Sequence, residues 1–154
     1  MTIIKLVLAL FLSFLPGYFG RMFSPTAGLS FWYSTLNKSV LNPPAWVFPV
    51  AWNLLYLALG VALFLVLMQG WKKYKNSIAP FTIHMILNGL WSFLFFGLHM
   101  PIAGMINIIA LIIVGVWMYK EFSRVSKPAG YLVWPYIAWL CFALYLNSMI
   151  VFLN

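Results

Sequence analysis

The chain alternates long apolar stretches with short basic ones. A bilayer core about 30 Å thick takes roughly 20 apolar helical residues. The first stretch predicts a span over residues 3–23, with Lys5 and Arg21 near its ends. From Ser39 to Trp71 no side chain is charged, but Asn42-Pro43-Pro44 and Pro49 resist regular helix early on, so the second span is predicted at 46–69. The uncharged run from Asn76 to Tyr119 is too long for one crossing, and Gly97-Leu98-His99-Met100-Pro101 breaks it. It divides into spans at 79–97 and 102–120, and a fifth follows at 129–152. Helical periodicity cannot arbitrate here, because lipid-facing and core-facing positions are both apolar. A small-residue cleavage site before Gly28 has Pro25 three positions back, so the first span reads as a retained helix.

Composition agrees with this reading and excludes others. Of 154 residues, 65% are apolar and 6% charged, with nine Lys/Arg against one acid, Glu121. Soluble domains carry about a quarter charged residues. One carboxylate side chain cannot supply a two-carboxylate hydrolase. One cysteine, Cys141, cannot build a disulfide scaffold, and in an apolar helix it has no activating neighbour. The fold class is therefore an all-α integral membrane protein, a five-transmembrane-helix bundle in one domain.

The net charge of +8 then becomes a statement about topology. Lys5, Lys72, Lys73, Lys75, Lys120, Arg124 and Lys127 fall on one side, and Arg21 and Lys38 on the other. The bias predicts a cytoplasmic N-terminus, with the C-terminus and the first loop on the outer side of what is expected to be a bacterial membrane. Nucleic acid is not an expected partner.

The connection over 24–45 is long where the others are tight. Phe31-Trp32-Tyr33 through Lys38 fits a short helix on the membrane surface, aromatic side down. It is either a lid over a site or part of the interfacial aromatic belt. Polar residues within spans narrow the search. His84, Asn88, Trp91 and Phe95 share one helical face, as do Trp52 and Tyr56. Gly104, Asn107, Leu111 and Gly115 form a third stripe, and Tyr136, Trp139, Ala143 and Asn147 a fourth. Turned inward, they give an aromatic interior with a few amides. Asn88, Asn107 and Asn147 are either ligand contacts or interhelical glue. His84 and His99 stand fifteen residues apart, about 22 Å along a straight helix, so they do not converge on one metal ion, and none is expected. His84 reads as a hydrogen-bonded core histidine, with a lone haem ligand as the alternative. No residues are arranged for nucleophilic, hydrolytic or nucleotide chemistry.

Several motifs resemble one family. Trp32-Tyr33, Leu36-Asn37-Lys38, Asn42-Pro43-Pro44-Ala45-Trp46-Val47-Phe48 and Trp52-Asn53-Leu54-Leu55-Tyr56 are similar to the opening of the TspO/translocator proteins, the tryptophan-rich sensory proteins. Leu87-Asn88-Gly89-Leu90-Trp91, Phe95-Phe96-Gly97 and Pro135-Tyr136-Ile137-Ala138-Trp139, with Phe142-Ala143 and Leu146-Asn147, continue the likeness. The resemblance implies a five-helix bundle, often dimeric, whose first loop caps a ligand pocket. It implies binding of porphyrins such as protoporphyrin IX, of benzodiazepine-type ligands, and of sterols in some members. No cofactor is implied beyond the tetrapyrrole as ligand. In family terms Trp52 and Trp139 match pocket tryptophans, Tyr33 the loop aromatic, and Asn88, Trp91, Ala143 and Leu146 other pocket positions. Tyr56 joins them by sharing the Trp52 face. Some bacterial members are credited with light-dependent porphyrin breakdown, a role for which Trp52 and Trp139 are the candidate catalytic residues. Arg21 and Lys38 are candidates to pair with ligand carboxylates.

The chain also departs from the family pattern. Lys38-Ser39-Val40-Leu41 stands where Lys-Pro-x-Trp is common, and nothing basic follows Tyr145 to complete the C-terminal sterol pattern. Val116, Tyr119 and Arg124 fit a short sterol-type pattern of the kind chance supplies readily. Four roles stay open at this point: a receptor for tetrapyrroles in stress regulation, an enzyme that degrades them in light, a transporter of porphyrin or sterol, and a plain structural membrane protein.

Overall fold

The computed structural model describes residues 2–24 and 31–154. Residues 25–30, which include the site before Gly28 and part of the first loop, lie outside the described residues. Five long helices are each long and apolar enough to cross a membrane. They are α1 (Thr2–Arg21), α3 (Val47–Leu67), α4 (Trp71–Ser92), α5 (Pro101–Val125) and α6 (Lys127–Leu153). A short α2 (Phe31–Thr35) lies between the first two, and α4 continues into a π-helical turn, Phe93–Gly97. In hydrocarbon every backbone N–H and C=O must find a partner within the chain, which is why spanning segments are helical.

Successive long helices run in opposite directions, and the five close a ring in the order α1, α3, α6, α5, α4, in which the neighbours α1 and α4 lie parallel. One end, here the floor, holds the start of α1 and the α3–α4 and α5–α6 turns. The other, the roof, holds α2, the α4–α5 turn and the end of α6. The seven grouped cations lie at the floor. Lys5 there donates to the Leu67 carbonyl at 2.9 Å, capping the negative end of α3. Glu121 pairs with Arg124 on the last turns of α5. The floor half packs tightly around Leu59, Val66, Met118, Phe122 and Val133, all buried. A lipid-facing coat of exposed Ile3, Val7, Phe11, Leu54, Ile106 and Ile113 surrounds the bundle, a surface that water would not tolerate at this extent.

Two predicted boundaries move. The third span begins at Trp71, not 79, and the fourth runs to Val125, not 120. The stretches left between those spans, 70–78 and 121–128, are therefore mostly helix. Lys72, Lys73 and Lys75 ride on the first turns of α4, where long stems let ammonium groups reach water without ending the helix. The predicted surface helix over 31–38 is shorter, Phe31–Thr35. All four inward stripes hold: His84, Asn88 and Phe95, then Gly104, Asn107, Leu111 and Gly115, then Tyr136 and Asn147 are buried, and Tyr56 is buried beside half-buried Trp52.

Candidate functional site

The inward aromatic residues form two clusters in the roof half. The flank cluster lies between α3 and α6. Trp52 stacks on Tyr56, one turn on, with ring centroids 5.4 Å apart and planes at 29°. It meets Tyr136 edge-on at 6.0 Å and Trp139 at 6.4 Å. Phe48 and Phe142 contact Trp139 at 6.3 and 5.7 Å. Edge-on pairs of this kind contribute about 0.5–1.5 kcal/mol each beyond area burial. Gly17 lets α1 approach: a Cβ there would stand 2.8 Å from Tyr56 Cε2.

Asn88 ties the cluster together. Tyr56 Oη donates to Asn88 Oδ1 at 2.6 Å, and Asn88 Nδ2 donates to Tyr136 Oη. One amide thus joins α3, α4 and α6. Asn107 and Asn147 act as interhelical glue, Asn107 Nδ2 donating to the Leu87 carbonyl at 2.9 Å and Asn147 Nδ2 to the Pro101 carbonyl at 2.7 Å. His84 lies one turn below Asn88, edge-on to Tyr136 at 5.0 Å. It is a core histidine as expected, with no side chain hydrogen-bonded to either ring nitrogen and the Leu111 backbone as the polar group facing its ring. Gly115 makes room for the ring: a Cβ there would lie 3.4 Å from Nε2. Trp139 Nε1 is likewise buried without a partner.

A groove of about 540 Å³ runs beside this cluster. Ala51, Leu54 and Leu55 of α3 face Pro135, Ala138 and Trp139 of α6 across it. Its walls are almost wholly apolar. Leu54, Pro135 and Ala138 are exposed, so it opens outward between the two helices.

The roof cluster closes the end of the bundle. Trp32 of α2 stacks on His99 at 4.4 Å and 18° and meets Phe95 edge-on at 5.5 Å. Tyr33 contacts Phe95 and Phe96 at 6.2 and 5.7 Å. Trp91 stacks on Phe95 at 5.1 Å, and its Nε1 donates to Asn147 Oδ1 at 3.4 Å. Gly104 makes room for this arrangement: a Cβ there would lie 3.0 Å from Asn147 Oδ1 and 3.2 Å from Phe95. The π turn adds a residue to the helical repeat and aims Phe95 inward. His99, with φ of +53°, turns the chain toward α5 and presents its ring to Trp32. Lys38 Nζ lies 4.6 Å from the Tyr33 ring centre and donates to the Leu36 carbonyl. Burial pushes the Tyr33 phenol above its ordinary pKa, opposed by its hydrogen bond to Asn42.

Beyond α2 the chain is fastened twice more. Asn37 N–H donates to Asn154 Oδ1 at 2.9 Å, and Asn154 Nδ2 donates back to the Asn37 carbonyl at 3.0 Å. Ser39 Oγ and Tyr145 Oη share a hydrogen bond of 2.7 Å.

The profile of the TspO/MBR family matches residues 6–153. The chain belongs to the TspO/MBR family. It is 42% identical to the tryptophan-rich protein TspO of Chlorobaculum tepidum, over 99% of this chain and 97% of that one. It is 33% identical to the tryptophan-rich sensory protein of Cereibacter sphaeroides, over 95% and 92% of the two chains. The translocator protein of Bos taurus is 29% identical over 86% of this chain and 80% of its own. It is accordingly an integral membrane protein of the TspO/translocator family.

Of the candidate site residues, Trp52, Tyr56, Asn88 and Trp139 meet in the flank cluster, and Tyr33 and Trp91 in the roof. Ala143 and Leu146 continue the inward face of α6 beyond Trp139, half-buried and buried. Arg21 ends α1, exposed, with its guanidinium 6.0 Å from the Tyr18 ring centre. Arg21 and Lys38 thus share the roof end. Tyr136, Phe95, Trp32 and His99 are absent from the predicted site set. Tyr136 already lies on the predicted α6 stripe, and its i,i+3 relation to Trp139 is the available signal. The Trp32–His99 pairing depends on a turn geometry that no local pattern announces.

Proposed function

We propose that this protein is a membrane receptor for tetrapyrroles such as protoporphyrin IX, and that benzodiazepine-type ligands share the same site. The observation that carries the reading is the flank cluster. Trp52 and Trp139 present indole surface beside an apolar groove, and two phenols are held in place behind them by Asn88. A tetrapyrrole is a flat apolar disc with two carboxylates. Removing its face from water contributes about 25 cal/mol per Å², and stacked or edge-on indoles add to that. Arg21 and Lys38 lie at the end where α3 and α5 begin, so two positive helix ends favour the carboxylates there as well. The unpartnered Trp139 N–H suits a ligand with a hydrogen-bond acceptor.

Light-driven breakdown of the bound porphyrin extends this reading. Trp52 and Trp139 are oxidisable rings in the cluster: one electron passing from an indole to the photoexcited porphyrin leaves an indole radical cation and a porphyrin radical anion, which dissolved dioxygen then oxidises, while the protein supplies position. Protoporphyrin IX titrated into the detergent-solubilised protein is expected to quench indole emission saturably in the dark. Illumination is expected to bleach the porphyrin band, more slowly in Trp139→Phe. Linear, unsaturable quenching overturns the receptor reading, and equal bleaching in the variant removes the photochemical one.

A further inference from the structure

The roof and the flank differ in how firmly each is shut, and this bears on how a ligand reaches the indoles. Among the described residues the segment over the roof is fastened at three places. Trp32 stacks on His99, Asn37 exchanges hydrogen bonds with Asn154, and Ser39 bonds Tyr145. Opening it means breaking polar and aromatic contacts at three separated points. The flank groove is held by none of these. Its mouth is edged by Ala51 and Ala138, whose side chains stop at Cβ. Pro135 in its wall has no N–H, so α6 has one backbone hydrogen bond fewer there. Ala51 to Leu55 lie about 6–12 Å along α3 from its roof end, at a depth reached by lipid chains.

Trp139 belongs to both places. It lines the groove and also touches Trp52, Phe48 and Phe142 within the cluster. Its Nε1 has no partner, whereas Trp91 Nε1 is tethered to Asn147. No hydrogen bond resists its rotation.

Taking the receptor reading as its basis, we infer that the ligand is a flat apolar molecule already dissolved in the bilayer, and that it passes sideways between α3 and α6, with the Trp139 ring as the door. The groove walls offer no polar group to a water-borne solute. The Trp139 N–H is buried without a partner, so it meets a ligand only once the ring has turned.

The test is stopped-flow quenching of indole emission by protoporphyrin IX, with the full chain in lipid nanodiscs. Ala138→Leu, and separately Ala51→Leu on the facing helix, narrow the mouth. A short bis-maleimide joining Asn37→Cys to Asn154→Cys locks the roof, in a Cys141→Ser background because Cys141 is exposed. The locked roof is expected to leave association within about twofold of the uncrosslinked protein, while each groove variant slows association and dissociation together by roughly tenfold at unchanged Kd. Association lost on locking the roof, with the groove variants at the wild-type rate, overturns the lateral route. A groove variant that raises Kd through faster dissociation also overturns it, because the leucine then fills the site and not the passage. No saturable quenching in the wild type refutes the receptor reading itself, and the route falls with it.

Discussion

The roof and flank clusters are built from the same kinds of side chain and behave as different materials. In the roof, Trp91 stacks on Phe95 and is hydrogen-bonded through Asn147 to α5. In the flank, Trp139 has ring contacts only and borders an open groove. Aromatic content alone therefore does not define a binding site in this bundle. The difference lies in whether each indole N–H is satisfied: a bonded ring is a structural element, and an unbonded one is available to something else. Asn88 marks the boundary, fixing the phenols of Tyr56 and Tyr136 behind Trp52.

That contrast can be broken in graded ways. The largest effect is expected from Asn88→Leu, which strips the buried Tyr56 and Tyr136 hydroxyls of their shared partner. About 2–4 kcal/mol of stability should be lost, read as a shifted SDS unfolding midpoint in mixed micelles. Gly104→Ala comes next. Its Cβ would crowd Asn147, Phe95 and Trp91, costing about 1–3 kcal/mol and disturbing the roof without altering Trp139. Near-ultraviolet circular dichroism of Gly104→Ala in a Trp139→Phe background separates the two environments.

A matched pair sharpens the comparison further. Trp91→Phe deprives Asn147 Oδ1 of its donor and is expected to cost about 1 kcal/mol, whereas Trp139→Phe removes an N–H that bonds nothing and should cost clearly less. Equal losses in the two variants contradict the distinction between a tethered and an untethered indole. The smallest effect belongs to Tyr33→Phe. The ring face under Lys38 survives and the long hydrogen bond to Asn42 disappears, a loss that should change stability by a few tenths of a kcal/mol.

Tyr33 also carries a pH signature. Its folded pKa is raised, so the neutral phenol is favoured in the folded protein. Stabilisation from that source is fully present below the unfolded value, about pH 10, and is lost as pH rises through the folded value. In a spectrophotometric titration Tyr33→Phe should therefore remove a phenol that ionises later than exposed tyrosines do. Loss of an early-ionising phenol contradicts the burial of Tyr33.

Much of this architecture was legible along the chain, for physical reasons that also mark where reading fails. Intervals between charges locate spans because unpaired charges are expelled from hydrocarbon. The same rule hid the ends of α4 and α5: Lys72, Lys73, Lys75, Arg124 and their neighbours belong to helices that outrun the apolar core, and snorkelling stems leave no break in the backbone. The inward stripes could be read from i,i+3 and i,i+4 spacing, which brought Trp52 and Tyr56, and His84, Asn88 and Phe95, to common faces. Contacts between helices could not. Trp32 meets His99 only because a π turn and a left-handed residue re-aim the α4–α5 connection, and Asn37 meets Asn154 only because ring closure brings α6 beneath the first loop. The satisfied state of an indole N–H is likewise a property of packing and not of spacing.

On the proposed function, Trp52 and Trp139 hold the tetrapyrrole inward of the groove mouth at Ala51 and Ala138. The most direct test of this central claim is the equilibrium Kd of protoporphyrin IX for the wild type and for Trp52→Ala, measured in darkness by porphyrin fluorescence anisotropy. The account predicts a loss of roughly tenfold or more for the variant, with its helical circular dichroism unchanged. A wild-type Kd in Trp52→Ala would contradict it.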